Sequence, residues 1–461
     1  MIIRDRQYLD NKDLIKGCIK EHQDGLERMD MLYRAYKGDA DILKRTMLNG
    51  LPNNQLVHSY PRYIVAIAAG YLVGTPVNYQ AETAKLDDLL DAYKAARVDS
   101  IDSELAKDAS LYGKAVELIY ADEKSQVRTS ALDPRSAFVV YDNTVENKAM
   151  LGVRDYQTYD VSGKKAGFDV IVYTDTGETT YHGSTITNAL DATIFEEQEH
   201  YFGRVPMVEY FNSDDETGDF ESVLTLINAY DKLQSDRLND NEQLVQALLV
   251  ITGARIENEP NTVDDNGDVI KGRTAGQALR QDKLLMLPDQ TAKAEYLAKP
   301  SDGAGADILR KNLKDDIHKF SMIPDLTDEN FASNASGVAM KYKLFGLEQL
   351  VMVKERWFKE ALYERLLIFT NFLSVKGKAK INPQDVEIVF KRSLPANGLE
   401  VAQMIGLLEN IVPRGLLLAQ VPFVTDPDKA LTDLEAERAE AMAKQAAAFG
   451  AMQAVDGGDD E

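Results

Sequence analysis

The sequence predicts an α+β protein in which helices predominate, and three observations favour this class. A helical pattern covers residues 336–373, which at ~1.5 Å per residue would form a rod of about 55 Å. Short β-branched and aromatic runs separated by turn residues fill residues 115–212. A small insertion with strand-like pieces, residues 251–300, separates two further helical patterns. Because so long a helix exceeds what a small core can cover, the subunit is predicted to be elongated and to pack against other copies.

The composition indicates a substantial core and a strongly acidic surface. Apolar residues make up 44% of the 461 residues, and the formal charge is −23. Since nucleic-acid affinity depends on Lys and Arg at phosphates, this charge excludes generic tight binding to DNA or RNA. The single cysteine, Cys18, excludes a disulfide framework and a cysteine-based zinc site. No signal segment begins the chain, and its best apolar run, residues 63–73, is shorter than the ~20 residues of a membrane span, so a soluble, unexported protein without membrane contact is expected.

Helical periodicity predicts three helices before the β-rich region. They cover residues 11–37, residues 59–79 with Gly74 and Pro76 as stop signals, and residues 101–112. The strands that follow are predicted to form one antiparallel module. They are placed at residues 115–120, 127–132, 137–141, 150–158, 168–174, 178–182 and 207–212.

Two amphipathic patterns flank the insertion. Residues 221–250 are predicted to be one helix, and residues 308–320 a second one that ends before Pro324. Within the first, residues 234–243 are polar almost all round. Because a helix without an apolar stripe is not packed in its own subunit's core, this part is predicted to line a wet cavity or a seam between subunits. The insertion between the two helices is predicted to be a protruding tip.

The C-terminal part predicts further short elements. A strand is expected at residues 385–391 and a helical pair over residues 401–418, split at Pro413. Asp426 and Pro427 suit the N-cap and the first turn of a last helix. The chain ends in small and acidic residues, so its last segment is expected to fray.

The sequence gives no sign of catalytic chemistry. It contains no phosphate-binding loop and no His-Glu-x-x-His motif, and its five histidines are scattered without ligand spacing. An acidic run in the insertion faintly suggests a calcium loop, but with Gly267 in sixth place Thr262 and Arg273 occupy the first and twelfth places, where carboxylates are needed. The run is therefore predicted to be an acidic hairpin turn, made of Asp264, Asp265, Asn266, Gly267 and Asp268. No enzyme activity, cofactor or metal is expected.

Four strings, in this order along the chain, together resemble the portal (head–tail connector) proteins of tailed bacteriophages, of the type found in siphophages of Gram-positive bacteria. Each string alone is weakly specific, and the four in order are quite specific. The resemblance covers residues 38–392, most of the chain. The strings are SYPRYIVAIAAGYLVGTPV from Ser59, LYGKAVELIY from Leu111, LDPRSAFVVYDNT from Leu132 and SGVAMKYKLFGLE from Ser336.

The resemblance implies an elongated portal-type subunit with a wing of helices and an antiparallel β module, a helical stem, a small α/β clip and a helical crown. Such subunits form a ring, typically of twelve, at one capsid vertex, and double-stranded DNA is packaged and ejected through its channel. The implied segments are residues 1–220 for the N-terminal helices and the β-rich wing, 221–250 and 301–324 for the stem helices, 251–300 for the clip, 325–336 for the tunnel loop, 337–392 for the long wing helix and strand, 393–449 for the crown and 450–461 for a flexible acidic tail.

The same resemblance implies partners and a place in the particle. The partners are further copies of the chain, double-stranded DNA that passes non-specifically, the large terminase subunit, a head–tail adaptor, and the major capsid and scaffold proteins. The protein would be part of the virion and would be assembled in the host bacterial cytoplasm. Twelve copies at −23 each would carry −276 in total. With a screening length of ~8 Å, such a wall repels DNA only on close approach and acts as a low-friction sleeve.

Candidate channel residues follow from this mapping. The tunnel-loop side chains expected to face DNA are Asp328, Glu329, Asn330, Phe331, Ser333 and Asn334, and the alternative is an ordinary solvated loop. Gly337 is a candidate hinge between loop and helix, because glycine lets the chain change direction cheaply, or simply a glycine at a helix start. Gly346, within the predicted long helix, would permit either a bend or close packing.

A basic face is predicted on the second stem helix, opposite an apolar row. Its members either make weak phosphate contacts along the channel or form salt bridges to the neighbouring acidic helix. Trp357 and Phe358 of the long helix are predicted to pack in the core or at a subunit seam rather than to stack on bases. The basic face consists of Arg310, Lys311, Lys314 and Lys319, and the apolar row of Leu309, Leu313, Ile317 and Phe320.

A competing hypothesis is another phage head–tail or capsid structural protein without a DNA channel. Rings with a central hole in the purified protein would favour the portal hypothesis. ATP turnover intrinsic to the chain would contradict both.

Overall fold

The fold is described from a computed structural model of the 461-residue chain. It describes all residues except 10, 49–50, 82–84, 192–193, 246–247, 253–257, 265–266, 275, 278–280, 282–292, 298–302, 328–340, 379, 393–397, 422–423, 425–426 and 457–461. The described part combines helices with small sheets, as the α+β class requires.

The first strand and two helices make up the N-terminal region. Strand β1 (Ile2–Arg4) is followed by α1 (Lys12–Asp24) and α2 (Leu26–Lys37). The prediction of one helix over residues 11–37 is wrong, because Gly25 separates α1 from α2. Glycine is among the weakest helix formers, so a break is cheapest there.

Helix α3 (Tyr60–Val73) and helix α5 (Val98–Tyr112) pack against each other in the main core. Strand β2 (Asn78–Gln80) and helix α4 (Asp87–Ala96) lie between them in the chain. The helix predicted within residues 59–79 ends at Val73, directly before the predicted stop signal Gly74, and the last residues of that range belong to β2. Helix α4 was not among the predicted elements.

The β-rich region forms two sheets rather than the predicted single antiparallel module. One has six strands in the order β1-β5-β6-β7-β8-β9, and the other has three in the order β10-β3-β4. β1 pairs parallel with β5, and the other pairs are antiparallel. The strands are β3 (Lys114–Ala121), β4 (Val127–Leu132), β5 (Ala137–Asp142), β6 (Ala149–Tyr159), β7 (Lys165–Tyr173), β8 (Gly177–Gly183), β9 (Ile194–Glu199) and β10 (Met207–Phe211), with the short helix α6 (Ile186–Ala189) before β9.

The next helix, α7 (Leu224–Val245), runs into the inserted region. The predicted helix over residues 221–250 is too long, because strand β11 (Leu248–Thr252) begins within it. A short apolar run suits a strand as well as a helix, and the β-branched residues Val250, Ile251 and Thr252 favour the strand. β11 pairs with β14 (Lys293–Leu297), and the hairpin of β12 (Thr262–Val263) and β13 (Val269–Ile270) lies between them in the chain.

Helix α8 (Gly303–Ser321) returns from the insertion and packs against α7. The longest helix of the described chain is α9 (Phe345–Val375), about 47 Å at ~1.5 Å per residue. The prediction of an uninterrupted helix through residue 344 is wrong, since a turn at Leu344 precedes α9. Gly346, predicted inside the long helix, is instead its second residue, and a glycine weakens helix continuity at this point.

The C-terminal region follows α9. Strand β15 (Glu387–Val389) pairs antiparallel with β2, so this end of the chain returns to the N-terminal region. Helices α10 (Gly398–Leu408) and α11 (Arg414–Leu418) form the predicted pair split at Pro413, and α12 (Pro427–Asp456) begins at the predicted proline.

Buried charges attach α9 to helix α5 and strand β3. Arg365 is fully buried, with Nη1 2.6 Å from Asp102 Oδ1 of α5 and Nε 2.9 Å from a Glu117 oxygen of β3. Tyr210 of β10 donates a 2.6 Å hydrogen bond to Glu117. Burial raises the pKa of Asp102 to about 6, although Arg365 opposes the shift. Lys354, about three turns before Arg365 on the same side of α9, makes a second buried pair with Asp219 at 2.5 Å.

Candidate channel site at the stem helices

The paired helices α7 and α8 occupy the predicted stem positions. Arg237 of α7 lies 3.0 Å from Asp307 of α8, and Arg310 lies 3.5 Å from the same carboxylate. An ion pair therefore joins the two helices at their side chains, in addition to their packing.

Three polar side chains of α7, four residues apart, are buried. Asp231 is 1% exposed, Ser235 0% and Asn239 3%. Residues separated by four positions lie on one face of a helix. This face receives the backbone N–H groups of alternate residues of segment 54–58. The pairs are His58 N to Asp231 Oδ1 at 2.9 Å, Leu56 N to Ser235 Oγ at 2.9 Å and Asn54 N to Asn239 Oδ1 at 2.7 Å.

The spacing of the three acceptors along α7 matches the spacing of the three N–H donors along segment 54–58. We call this row of three hydrogen bonds the ladder. Four residues of an α-helix rise ~6 Å. Two residues of an extended chain span ~6.6 Å, and their N–H groups point the same way. An extended segment that runs antiparallel to α7 therefore meets an acceptor at each second residue. The partly buried N–H groups of Asn54, Leu56 and His58 in this irregular segment are thus satisfied by side chains of α7.

This arrangement corrects one prediction. Residues 234–243 were predicted to line a wet cavity or a subunit seam because they lack an apolar stripe. Ser235 and Asn239 are instead buried inside their own subunit, because they bind backbone groups rather than apolar side chains. Polar residues at positions 231, 235 and 239, four residues apart, are the feature of the sequence that indicates this buried polar face. A search for apolar residues at helical spacing does not detect it.

Further contacts fix the ends of segment 54–58. Arg45 donates to the Asn54 carbonyl oxygen at 2.7 Å and pairs with Asp236 of α7 at 2.5 Å. The His58 ring lies edge-on to Tyr230 of α7, with ring centroids 4.8 Å apart. The chain that enters α3 is therefore attached to α7 along two helical turns.

The segment after α8, residues 322–327, is also held by side chains; we call it the root segment. The Tyr63 hydroxyl of α3 donates to the Pro324 carbonyl oxygen at 2.8 Å and accepts the Leu326 N–H at 3.2 Å. His318 Nδ1 of α8 lies 2.9 Å from the Ile323 carbonyl oxygen. Met322 adopts a left-handed conformation, with φ of 59°. Side chains of α3 and α8 therefore hold the root segment in place.

An ion pair completes the root segment. Lys314 of α8 pairs with Asp325. The Asp325 carboxylate also accepts the Thr327 N–H at 3.0 Å and the Thr327 hydroxyl at 2.6 Å. Burial would raise the pKa of Asp325, but the hydrogen bonds from Lys314 and Thr327 outweigh it and lower the pKa to about 2.

The predicted basic face is divided among different partners. Lys314 pairs with Asp325 and Arg310 with Asp307, while the Lys319 ammonium lies 5.3 Å from the Phe320 ring centroid and Lys311 is exposed. The predicted apolar row is also split: Ile317 is fully buried and Leu313 half-buried, whereas Leu309 and Phe320 are 49% and 56% exposed.

Most of the predicted tunnel loop lies outside the described residues. This applies to Asp328, Glu329, Asn330, Phe331, Ser333, Asn334 and the candidate hinge Gly337. Gly346 is described, and a Cβ built on it would lie 3.6 Å from the Met322 carbonyl oxygen, which is ordinary contact. Alanine therefore fits at position 346, so close packing does not demand a glycine.

The aromatic pair of α9 packs inward, as predicted. Phe358 is 1% exposed, and its ring centroid lies 4.8 Å from that of Tyr210. The Trp357 ring is half-buried and meets Phe211 edge-on at 6.2 Å.

The acidic run of the insertion forms the predicted hairpin turn between β12 and β13. Gly267 N donates to the Asp264 carbonyl oxygen at 3.0 Å, and Gly267 has a φ of 86°, which favours glycine. Asp268 N donates to Asp264 Oδ1 at 2.8 Å. Asp265 and Asn266 lie outside the described residues. Among the described His, Cys, Asp and Glu side chains, no group of three could hold a metal ion.

A family model described as "Phage portal protein, SPP1 Gp6-like" matches residues 15–444. The portal protein of Bacillus phage SPP1 is 24% identical over 474 residues, covering 97% of this chain and 90% of that protein. The portal protein of Clostridium phage phiCD119 is 23% identical over 416 residues, covering 86% and 89%. A chain in the neck of a native GTA particle, computed with C12 symmetry, has a TM-score of 0.41 and 12% identity over 78% of this chain and 88% of that chain.

The chain thus belongs to the phage portal proteins, and within them to the SPP1 Gp6-like family. This confirms the predicted resemblance to portal proteins of phages of Gram-positive bacteria. A portal protein is a structural component of the virion. Within the described part of the chain, no helix combines the length and the apolar character needed to cross a membrane.

Proposed function

We propose that copies of this chain close into a ring of twelve at one capsid vertex, and that double-stranded DNA enters and leaves the capsid through the ring's channel. The proposal rests on the exposure of apolar side chains on α8. Ile308, Leu309 and Phe320 are 62%, 49% and 56% exposed there, on a chain of net charge −23. Leu309 and Phe320 lie on the same side of α8, ~16 Å apart along its axis, and Ile308 lies about 100° round the helix from Leu309. We infer that these exposed apolar side chains contact another subunit. A head-to-tail contact between neighbouring stems covers this surface and closes a ring.

The charge of the chain supports passage of DNA without tight binding. Lys314 and Arg310, two of the cations predicted to face DNA, are already paired with carboxylates of their own subunit. Two of the four cations of the basic face are thus already engaged, and an acidic wall repels DNA weakly at physiological ionic strength. The channel would act as a sleeve, and the energy for transport would come from a separate terminase motor.

The remaining assignments extend the same proposal. Residues 325–336 form the tunnel loop, with Gly337 as the hinge to the helix that follows. The inserted region between α7 and α8 is the clip that docks the terminase large subunit during packaging and a head–tail adaptor afterwards. The wing faces the major capsid and scaffold proteins while the particle assembles in the host bacterial cytoplasm.

Electron microscopy of the purified full-length protein tests the ring. We expect twelve-fold rings with a central hole wide enough for a DNA duplex. Solid particles, or a hole too narrow for a duplex, would contradict the proposal. ATPase and nuclease assays on the same rings are expected to show no activity, and turnover intrinsic to the chain would point to an enzyme.

Deletion of residues 328–336 tests the loop assignment. This deletion spares the root segment, so rings of normal size are expected. Shells that carry these rings are expected not to fill with DNA. Normal filling by shells with the deleted rings would refute the tunnel loop but leave the ring intact.

A further inference from the structure

The root segment is attached to the wing as well as to the stem. A loop that simply continued from α8 would need no contact with α3. Yet the Tyr63 hydroxyl binds the backbone on both sides of Asp325, as donor to Pro324 and as acceptor from Leu326. A single phenol therefore fixes two backbone groups that lie two residues apart.

We propose that Tyr63 is a positioning residue for the tunnel loop: its hydroxyl, together with the Lys314–Asp325 ion pair, holds the first residues of the loop at a fixed place on the wing while DNA moves past. The inference rests on the proposed function, because it presupposes that the loop after Thr327 meets DNA. It assigns a role to α3, which none of the sequence predictions connected with the channel.

The position of Tyr63 is set by the core and not by the loop. Its neighbours Ile64 and Val65 in α3 are 0% and 1% exposed, so the helix cannot shift without disturbing the main core. The Tyr63 ring also meets His318 of α8 edge-on, with ring centroids 6.0 Å apart. The hydroxyl is therefore presented by a rigid element to a segment that has no regular structure.

Lys314 and Asp325 supply the second attachment. The Asp325 carboxylate receives the Lys314 ammonium, the Thr327 N–H and the Thr327 hydroxyl. The last two contacts form a local turn that can exist without α8, whereas the ion pair ties this turn to the stem. Tyr63 thus connects the root segment to the wing, and Lys314 connects it to the stem.

The backbone of the root segment shows that it is strongly constrained. Met322, a non-glycine residue, has a φ of 59°, a conformation that persists only where the surroundings over-determine it. His318 holds the Ile323 carbonyl oxygen directly after it. The backbone directly after α8 is therefore held in one conformation by its own subunit.

Tyr63→Phe in full-length assembled rings tests the inference, because it removes the hydroxyl and keeps the ring. Hydrogen exchange of residues 322–327 is the direct readout. We expect the Leu326 amide to exchange about fivefold faster, since a lost hydrogen bond of ordinary strength changes an equilibrium by about this factor. Shells with these rings are expected to yield fewer DNA-filled particles. Tyr159→Phe, at a ring 62% exposed on β6, removes the same atom far from the loop and serves as the matched control.

The ion pair is tested by a double-mutant cycle. Lys314→Met removes the cation, and Asp325→Asn keeps an acceptor for Thr327 but loses the charge. If the pair acts as a unit, the double variant exchanges no faster at residues 322–327 than the faster single variant.

The outcomes separate the inference from the proposed function. Unchanged exchange and unchanged filling in Tyr63→Phe rings, with normal filling by the parent rings, would overturn the role of Tyr63 and leave the channel intact. Faster exchange with unchanged filling would also overturn it, since the contact would then not serve DNA passage. Parent rings without a channel would overturn the proposed function itself, whatever the exchange data show.

Discussion

One carboxylate oxygen of Asp231 binds His58 twice. Asp231 Oδ1 lies 2.9 Å from the His58 backbone nitrogen and 2.7 Å from its ring Nδ1. A carboxylate oxygen accepts hydrogen bonds, so Nδ1 donates to it in the His58 tautomer that carries a hydrogen on Nδ1. A single side chain of α7 thereby holds the chain directly before α3.

Asp231→Ala is expected to lower the free energy of unfolding of the unassembled subunit by about 2 kcal/mol, because it removes the acceptor of two partly buried hydrogen bonds from His58. Asp231→Asn is expected to cost less, since the amide oxygen still accepts. Urea unfolding followed by circular dichroism measures both. Glu242→Ala, at an exposed position of the same helix, is the control and should change stability by no more than ~0.5 kcal/mol. Equal unfolding midpoints for Asp231→Ala and the control would show that the ladder does not stabilise the subunit.

His22 is expected to make stability depend on pH. Its ring stacks on Phe138 with centroids 4.5 Å apart, and Nε2 lies 3.2 Å from the Arg135 carbonyl oxygen. Burial, with a smaller contribution from Lys114, lowers the pKa of His22 to about 4. A base whose pKa is lowered in the folded state contributes stability above its unfolded pKa, and this contribution is lost as pH falls towards the folded value.

The stability contributed by His22 is therefore lost as the pH falls from about 6.5 to about 4. Between pH 7 and pH 5 the His22 contribution to the unfolding free energy should fall by about 2 kcal/mol. His22→Gln, whose amide can still donate to Arg135, should flatten the pH profile by that amount. A variant whose profile parallels that of the parent would show that His22 does not titrate in this range.

Arg365→Met is expected to cost about 3–5 kcal/mol of unfolding free energy, because it leaves Asp102 and Glu117 buried without a counter-charge. Adding Asp102→Asn should recover part of the loss, since one of the two carboxylates is then neutral. Arg356→Met, at an exposed position of the same helix, is the matched control. Thermal unfolding of the three variants measures these effects. The network would be dispensable if Arg365→Met unfolded at the same temperature as Arg356→Met.

Ile308→Glu should block ring formation without unfolding the subunit. The side chain is 62% exposed on α8, so the change removes little from the subunit's own core, whereas it places a charge in the proposed contact between neighbours. Light scattering after size-exclusion chromatography measures the mass. Lys311→Glu changes an exposed residue of the same helix and is the control for added negative charge. Normal rings from Ile308→Glu would exclude this surface from the seam.

The sequence predicted elements best where apolar periodicity is strong. The helices at α3, α5 and α9 and most strands of the β region lie where the pattern put them. Three predicted helix boundaries are wrong, namely those at Gly25, at Leu344 and at the start of β11. Each of these lies inside a continuous pattern, where tertiary contacts decide which of two compatible structures forms.

The surroundings of α7 were harder to predict than the main core because the contacts there are polar. Whether a polar face is wet or bound to backbone depends on a segment almost two hundred residues away in the chain, and periodicity carries no information about that partner. Tyr63 illustrates the same limit. It lies within the string from Ser59 that carried the resemblance, yet its role depends on Pro324 and Leu326, which only the fold brings near.

The three hydrogen bonds between segment 54–58 and α7 are donated by main-chain N–H groups of the segment. At Leu56, therefore, any residue that has an amide hydrogen would serve. Proline is the exception, because it lacks that hydrogen. The Gln55 side chain is constrained separately, because it donates to the Arg45 carbonyl oxygen at 2.7 Å. A contact that depends on backbone N–H groups can persist through extensive sequence divergence, provided that the three acceptor side chains of α7 are retained.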